Sequence, residues 1–515
     1  MESEGDSETS ASSVARCGSE SSMPVSTASM PVSTASSATG TGLTNGDFPP
    51  ASYQKTMTYT PLKAQPFISP SMSAFSSLVK LPNVIVLVGL PARGKTYISR
   101  KLCRYLNWIG IRTKVFNCGD YRRMACNNQY HGESFFDPQN TSGEATREEC
   151  ARRALEDMCK YLESGEGEVG ILDATNTTRA RRAMVHHICV RKKFFRLFFV
   201  ESVCNDPKII EANITDVKVN SPDYRGMSTD KAKDDFLQRI AHYEKMYEPI
   251  DDKLDVNLSY IRLTNAGRSF YVNHIEGHIQ SRVVYFLMNI HITKRCIYLT
   301  RHGESEYNQL GRLGGDSPLS EAGKKYAEEL RKYFEAEKVA DLRVWSSQKI
   351  RAVQTARKLT GVASYIEHWK ALDEIDAGTC EGLTYAEVAE RYPQQLENRD
   401  NDKYHYRYPS GESYEDLVSR LEPVIMELER QANVLVVSHQ AVLRCILSYF
   451  LNKDSGELPY QKVPLHTVIK LTPIAYGCQC EMASFGIEAV NTHRDKPTWE
   501  VQKVAPQELP TCHSP

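Results

Sequence analysis

The sequence predicts an α/β protein: two three-layer αβα bodies in tandem behind a disordered N-terminal tail. Three observations carry that prediction. An uncharged, β-branched run from Val84 to Val88 ends in the glycine-bounded loop Gly89-Leu-Pro-Ala-Arg-Gly94-Lys95-Thr96 and then turns helical. From Leu81 to about Ile250, strand-length apolar runs alternate with helical periodicity, the pattern of a parallel sheet covered on both faces. After a connector the alternation restarts at Cys296-Ile-Tyr-Leu-Thr300, which runs into Arg301-His302-Gly303-Glu304. The expected bounds are 1–75 for the tail, 76–292 for the first body, 293–490 for the second, and 491–515 for a flexible C-terminal segment.

Taken in order, the chain opens with Ser, Thr, Gly and Pro and few large apolar residues, including the tandem heptapeptides Met23–Ser29 and Met30–Ser36. Such a segment cannot offset the entropy of ordering, and two repeats are too few to bury a core. In the first body, Thr96 to Trp108 carries Ile98, Leu102, Tyr105 and Leu106 at helical spacing. Thr113–Asn117, Val169–Asp173 and Phe194–Val200 read as strands, and Glu144–Leu162 as a helix. The stretch from Asp251 to Ile292 reads as a connector, strand-like at first and helical from His274 to Asn289. In the second body the expected elements are a helix over Ser320–Lys338, a strand over Leu342–Trp345, a helix carrying Arg351, a helix ending near Arg430, and the strand Val434–Val437 running into Ser438-His439-Gln440.

Composition narrows the function. At 515 residues, 41% hydrophobic and 25% charged, the chain is long enough for two or three ordinary globular domains. A net charge of -1 gives no bulk attraction to nucleic acid or membrane, so an anionic substrate must be held by local cations. The 14 cysteines lack C-x-x-C pairs and read as reduced thiols of a cytosolic protein. No apolar run approaches the length of a membrane helix, and the N-terminus has no secretory pattern.

The loop Gly89, Leu90, Pro91, Ala92, Arg93, Gly94, Lys95, Thr96 matches G-x-x-x-x-G-K-[ST] between a strand and a helix. Its glycines let backbone N–H groups approach phosphate, the helix end adds positive potential, Lys95 reaches the β and γ phosphates, and Thr96 can ligate Mg²⁺. A nucleotide with Mg²⁺ is therefore the expected ligand, with no tightly bound metal or organic cofactor. Asp173, at a strand end beside this loop, is expected to ligate Mg²⁺ or orient the acceptor hydroxyl. No residue stands out as a general base for the transfer.

Arg301-His302-Gly303-Glu304 after one strand, Ser438-His439 after another, and Ser346-Ser347 with Arg351-Ala-Val-Gln-Thr355 between them resemble the histidine phosphatase (phosphoglycerate mutase-like) superfamily. A phosphate loop upstream of that set resembles the bifunctional 6-phosphofructo-2-kinase/fructose-2,6-bisphosphatase family, over about Asn83 to Cys478. Asp173-Ala-Thr-Asn-Thr-Thr178 and Arg420–Glu429 are similar to that family as well. The resemblance implies a P-loop NTPase-like kinase body that makes fructose 2,6-bisphosphate from ATP and fructose 6-phosphate, and a phosphoglycerate mutase-like body that hydrolyses it through a phosphohistidine. In the kinase it implies Tyr97 and Asn213 near ATP, and Arg122, Arg147, Arg181, Arg239, Thr175 and Tyr243 on fructose 6-phosphate. Lys218 is implied to steady the transferring group, and Cys204 to occupy an active-site position.

In the second body, His302 is the candidate nucleophile, because a neutral imidazole can take up a phosphoryl group and split hydrolysis into two steps. Arg301, Arg351 and His439 would surround that group, and Glu304 is expected to hold His302 from behind. Glu374 sits where the superfamily carries its acid, with Asp373 and Asp376 as neighbouring alternatives. The resemblance also implies Asn308 and Gly314 near the reacting phosphate. It places Tyr385, Arg399, Lys403, Tyr414, Gln440 and Arg444 around the sugar and its other phosphate. It further implies a homodimer, with regulatory protein kinases as candidate partners. Three alternatives stay open: a kinase with a weakly active phosphatase, a non-enzymatic scaffold, and a mutase acting on phosphoglycerate.

Overall fold

The computed structural model describes residues 81–127, 132–215, 222–224, 226–290, 295–474 and 477–497. The expected tail 1–75, Lys218 and residues 498–515 lie outside the described residues.

The first body is built on one six-stranded sheet. Its strands are β1 (Asn83–Val88), β2 (Thr113–Asn117), β3 (Val169–Asp173), β4 (Arg196–Val203), β5 (Tyr260–Thr264) and β6 (Ser269–Asn273), in the order β2-β3-β1-β4-β5-β6. Its helices are α1 (Lys95–Trp108), α2 (Cys118–Ala125), α3 (Thr141–Glu163), α4 (Arg179–His186), α5 (Pro207–Asn213), α6 (Thr229–Glu244) and α7 (Gly277–Asn289). The β1 side chains show why helices cover both faces. Ile85 and Leu87 pack with Leu102 of α1 and Phe286 of α7, while Val84, Val86 and Val88 pack with Leu155 and Met158 of α3. The strand order reverses at β1, so the carboxyl ends of β1, β3 and β4 open a crevice there.

The second body repeats the plan. Strands β7 (Ile297–Arg301), β8 (Arg343–Ser346), β9 (Tyr365–His368), β10 (Val434–Ser438), β11 (Thr467–Ile474) and β12 (Gly477–Ser484) lie in the order β12-β11-β7-β10-β8-β9. Its helices are α8 (Glu306–Gln309), α9 (Glu321–Glu337), α10 (Ile350–Arg357), α11 (Tyr385–Arg391), α12 (Pro393–Asn401), α13 (Tyr414–Arg430) and α14 (Gln440–Leu451). The parallel pairing of β7 with β10 sets Arg301 opposite Ser438, which places the two histidines that follow at one end of the sheet.

Several expectations need correction. The sheets are mixed: β6 is antiparallel to β5, and β11 is antiparallel to both β7 and β12. The connector from Asp251 therefore holds an edge hairpin, and β11 and β12 form a C-terminal hairpin that the strand–helix alternation does not predict. The strand expected at Phe194 starts at Arg196, because Phe194 adopts φ 58° and is 73% exposed. Helix α3 starts at Thr141, where the Asn140 carboxamide caps Gly143 N–H at 2.8 Å. Residues 491–497, expected to be loose, lie against the second body through contacts described below.

Helix α1 joins the bodies. Its outer face carries Tyr105, stacked on Phe286 at 4.4 Å, and Trp108, whose indole N–H donates to the Cys445 carbonyl at 3.0 Å. Between them lies a buried carboxylate, Glu429 of α13. It receives Lys101 Nζ at 2.5 Å, Arg104 Nη2 at 3.5 Å, the Tyr449 hydroxyl at 2.7 Å, and the guanidinium of Arg295. Burial pushes the Glu429 carboxyl up, but Lys101, Arg295 and Arg104 outweigh it and hold it well below the usual range. Removing the carboxylate leaves three buried cations unpaired. We expect Glu429→Gln to destabilise the protein by about 3–5 kcal/mol, read as a lowered unfolding midpoint in urea. A change under about 1 kcal/mol would mean that water reaches the cluster.

Candidate functional sites

The first site starts at the end of β1. Gly89 adopts φ 134°, and a Cβ there would lie 2.4 Å from the Ser202 carbonyl oxygen, so only glycine lets the loop pass β4. The Asp173–Thr178 turn braces the loop: Gly89 N–H donates to the Thr175 carbonyl at 2.9 Å, and Asn176 Nδ2 donates to the Leu87 carbonyl at 2.8 Å. Arg93 bonds the carbonyls of Cys204 and Pro91, and Asn213 Nδ2 donates to the Ala92 carbonyl at 3.1 Å. Arg93, Gly94, Cys204 and Asn213 thus line one cleft, with Ser202 and Ile290. Lys95 folds over the loop, its ammonium 2.5 Å from the Leu90 carbonyl. Tyr97 stands instead under Lys101, 4.9 Å from the ammonium, on the side that packs against the second body.

Asp173 ends β3 and is buried. Its Oδ2 accepts from Asn117 Nδ2 at 2.6 Å and Ser99 Oγ at 3.2 Å, while Oδ1 bonds no described residue. A carboxylate oxygen beside a phosphate loop, with the Thr96 hydroxyl one turn before Ser99, fits a Mg²⁺ that shares its remaining ligands with nucleotide phosphates.

Four of the residues expected on fructose 6-phosphate, Arg122, Arg147, Arg239 and Tyr243, gather around Phe136. The Arg239 guanidinium lies 3.9 Å over its ring, Arg122 5.2 Å and Arg147 6.0 Å, and the Tyr243 ring stands 6.0 Å away. Burial pushes Arg147 down, with Arg181 and Arg239 adding to the push, so Arg181 belongs to the same cluster. Asp223 closes it: Arg122 donates at 2.5 Å, and Arg123 and Arg239 lie at 3.4 and 3.5 Å. Burial raises the Asp223 carboxyl, and Arg122, Arg239 and Arg123 more than reverse that. Neither Phe136 nor Asp223 carries a sequence signal; Ser-Pro-Asp-Tyr224 looks like any turn.

The second site starts at the ends of β7 and β10. His302 N–H donates to the Ser438 carbonyl at 3.0 Å, and the rings of His302 and His439 stand 5.0 Å apart. His302 Nδ1 donates to the Gly303 carbonyl at 2.7 Å, which leaves Nε2 with its lone pair. Arg351 Nε donates to that Nε2 at 3.1 Å, and Arg351 Nη1 to the Gly315 carbonyl at 2.9 Å. Burial, Arg351 and Arg301 push His302 well below its usual range, so the ring is neutral. Glu304 does not hold His302 in the way expected. Its carboxylate accepts from Ser320, Gln309 and the Val490 N–H, tying the loop to α9 and the C-terminal segment.

A pocket is lined by Gly314, Glu374, Tyr385, Arg399, Lys403, Tyr414, Gln440 and Arg444, with Gln440 directly after His439 in the chain. Glu374 Oε1 accepts from Ala441 N–H at the start of α14, at 3.1 Å, and from Ile375 N–H at 3.0 Å. Arg399 donates to the hydroxyls of Tyr408 and Tyr385, and Arg444 to that of Tyr414. Asn308 caps α8 through its Oδ1 on Ser305 N–H at 3.0 Å. Gly314 adopts φ 57°, and a Cβ there would overlap the Glu381 carboxylate, which also holds Gly315 N–H. The C-terminal segment crosses the rim. Thr492 Oγ1 meets Arg301 at 2.8 Å and Gln440 at 3.3 Å, His493 meets Arg444 at 3.2 Å, and Arg494 lies 4.3 Å over Tyr385. Polar side chains that match a polar rim order this segment, and hydropathy carries no sign of them.

Burial, then Arg399, Arg444 and Arg494, push Lys403 down to about 6. A bound phosphate would raise it again. Substrate binding to this pocket is therefore expected to take up a proton between pH 6 and 8, weakening as pH rises through that window. Lys403→Met should bind more weakly at pH 6 and show a flatter pH dependence, by titration calorimetry in buffers of different ionisation enthalpy. Equal proton uptake in the variant would place the titrating group elsewhere.

A braced phosphate loop with its own arginine cluster, and a separate pocket of paired histidines and arginines, define a P-loop kinase body joined to a histidine phosphatase body. Comparisons with known proteins agree with that class. A family model described as 6-phosphofructo-2-kinase matches residues 71–294, and one described as histidine phosphatase superfamily (branch 1) matches residues 297–485. The 6-phosphofructo-2-kinase/fructose-2,6-bisphosphatase of Caenorhabditis elegans is 59% identical over 446 residues, 86% of this chain and 95% of the relative. Form 1 from Rattus norvegicus is 56% identical over 425 residues, 82% of this chain and 89% of its own length. Form 3 from Homo sapiens is 56% identical over 420 residues, 81% and 80%. The chain belongs to the 6-phosphofructo-2-kinase/fructose-2,6-bisphosphatase family.

Proposed function

We infer that this family member runs both halves of a phosphoryl cycle on one sugar. The first body, expected at 76–292, makes fructose 2,6-bisphosphate from ATP and fructose 6-phosphate. The second, expected at 293–490, hydrolyses it to fructose 6-phosphate and phosphate, so the protein sets the level of a regulator of glycolysis. The observation that carries the hydrolytic half is the neutral His302, its Nδ1 fixed by Gly303 and its Nε2 bonded to Arg351.

In the kinase, loop N–H groups and Lys95 would hold the nucleotide phosphates, with Asn213 and Cys204 along the same cleft. Thr96 and Asp173 would hold Mg²⁺, which neutralises phosphate charge when bound. Arg122, Arg147, Arg181 and Arg239 would bind the sugar phosphate, because guanidinium forks match phosphate oxygens and Phe136 keeps them aligned. Thr175 and Tyr243 would meet sugar hydroxyls or the phosphate. Lys218 keeps its proposed role on the transferring group.

In the phosphatase, the 2-phosphoryl group would pass to His302 Nε2 while Arg301, Arg351 and His439 meet its oxygens. Glu374 would give a proton to the leaving oxygen and then activate water. Asn308 and Gly314 would border the reacting phosphate. Tyr385, Arg399, Lys403, Tyr414, Gln440 and Arg444 would hold the sugar and its 6-phosphate. Among the described residues the cysteines are all free thiols, and no helix is long and apolar enough to cross a membrane. These features support a cytosolic setting. A homodimer, with regulatory protein kinases as partners, completes the reading.

One purified sample assayed in both directions tests it. Synthesis and phosphate release from fructose 2,6-bisphosphate are both expected. Isomerised phosphoglycerate without net phosphate release would make the second body a mutase, and synthesis alone would make the chain a kinase with an idle partner.

A further inference from the structure

Ser347 follows β8 and is fully buried beside His439. Its Oγ lies 2.6 Å from His439 Nε2 and accepts the Lys349 N–H at 3.2 Å. A hydroxyl has one proton to give, and Nε2 is the one acceptor that the described contacts offer it. Given to Nε2, that proton leaves the lone pair there and the ring proton on Nδ1. That Nδ1 is buried with no hydrogen-bond partner, and so is Nε of Arg301. A buried donor without a partner is costly unless something else completes it. These two belong to the pair of residues that flank His302, so a phosphoryl oxygen is the group that satisfies both.

We propose that Ser347 is a positioning residue of the phosphatase: its hydroxyl fixes His439 as the Nδ1–H tautomer and aims that proton at the phosphoryl group. This rests on the reading of His302 as nucleophile. In the step, the bond from the sugar oxygen to phosphorus breaks, the bond from phosphorus to His302 Nε2 forms, and the leaving oxygen takes its proton from Glu374. His439 keeps its proton throughout and serves as a neutral donor. Burial, Arg351, His302 and Arg301 push the ring well below its usual range, which agrees with a neutral donor. Without the hydroxyl, the ring is free to carry its proton on Nε2 and turn a lone pair toward the phosphoryl oxygens, which repel it.

The neighbouring Ser346 is an internal control. It is equally buried, but its Oγ bonds His368 Nδ1 at 2.6 Å and the Ser347 carbonyl at 2.9 Å, away from the site. Ser347→Ala is expected to lower kcat for fructose 2,6-bisphosphate hydrolysis roughly 10- to 100-fold with KM changed less than about threefold. Ser346→Ala should stay within about threefold of the parent kcat, and Ser347→Thr should recover most of it. In ¹⁵N-histidine-labelled full-length protein, His439 should show the Nδ1–H pattern, and Ser347→Ala should lose it. An Nε2–H pattern in the parent protein would overturn the proposal even if Ser347→Thr failed to fold, as would full kcat in Ser347→Ala. Hydrolysis that survives His302→Ala unchanged would instead overturn the nucleophile reading on which the proposal stands.

Discussion

His302→Ala should lose fructose 2,6-bisphosphate hydrolysis by about a thousandfold or more and form no phosphohistidine, while synthesis continues at the parent rate. Three observations set that size. The ring is neutral because burial, Arg351 and Arg301 push it down, and its Nδ1 is committed to Gly303, so Nε2 keeps the lone pair. Arg351 and Arg301 stay in place without it, held by Gly315, Val463 and Thr492, so binding should survive. The variant should therefore hold substrate nearly as tightly as the parent and fail to turn it over. A quench of the reaction, followed by acid-labile phosphoprotein analysis, reads both outcomes. Residual hydrolysis within tenfold of the parent would assign attack to water or to another residue.

Lys95→Met should do the converse, removing about 10²- to 10³-fold of synthesis and leaving hydrolysis intact. Lys95 is buried at the start of α1, and its ammonium already sits over the loop on the Leu90 carbonyl. Methionine keeps much of the stem volume but supplies no charge to phosphates that repel one another. The distal end of α1 bears the buried Glu429 cluster, so a variant that also disturbed this helix would lower the unfolding midpoint. A normal midpoint with synthesis lost isolates the chemistry. Loss of hydrolysis in the same variant would mean that the two pockets are not independent.

The parts legible in the sequence were those written locally. The run Val84–Val88 into Gly89–Thr96 announced strand, loop and helix together, and β2 and β3 fell on the expected residues. Arg301-His302 and Ser438-His439 were legible because each pair follows a strand, and β7 pairs directly with β10. What stayed hidden depends on distant partners. Asp223 is an ordinary turn acid until three arginines from other elements close on it. Glu381 has no pattern of its own, yet it fills the space a Gly314 side chain would need. Tyr97 lies beside the phosphate loop in sequence but turns toward Lys101, because the helix places it on the outer face. The segment at 491–497 is polar throughout, and its order comes from contacts to Arg301, Arg444 and Tyr385 that no periodicity encodes. In sequence Glu304 reads as a partner of its neighbour His302, whereas its oxygens reach Ser320, Gln309 and Val490.

One measurement bears on the whole account: the path of a labelled phosphoryl group through the full-length protein. With γ-labelled ATP, Mg²⁺ and fructose 6-phosphate, label should appear first in the 2-phosphate of fructose 2,6-bisphosphate, then on His302, then in inorganic phosphate. Without fructose 6-phosphate the protein should stay unlabelled, because the sugar is the only carrier between the two pockets. Label reaching a histidine directly from ATP in the absence of the sugar would contradict two separate sites.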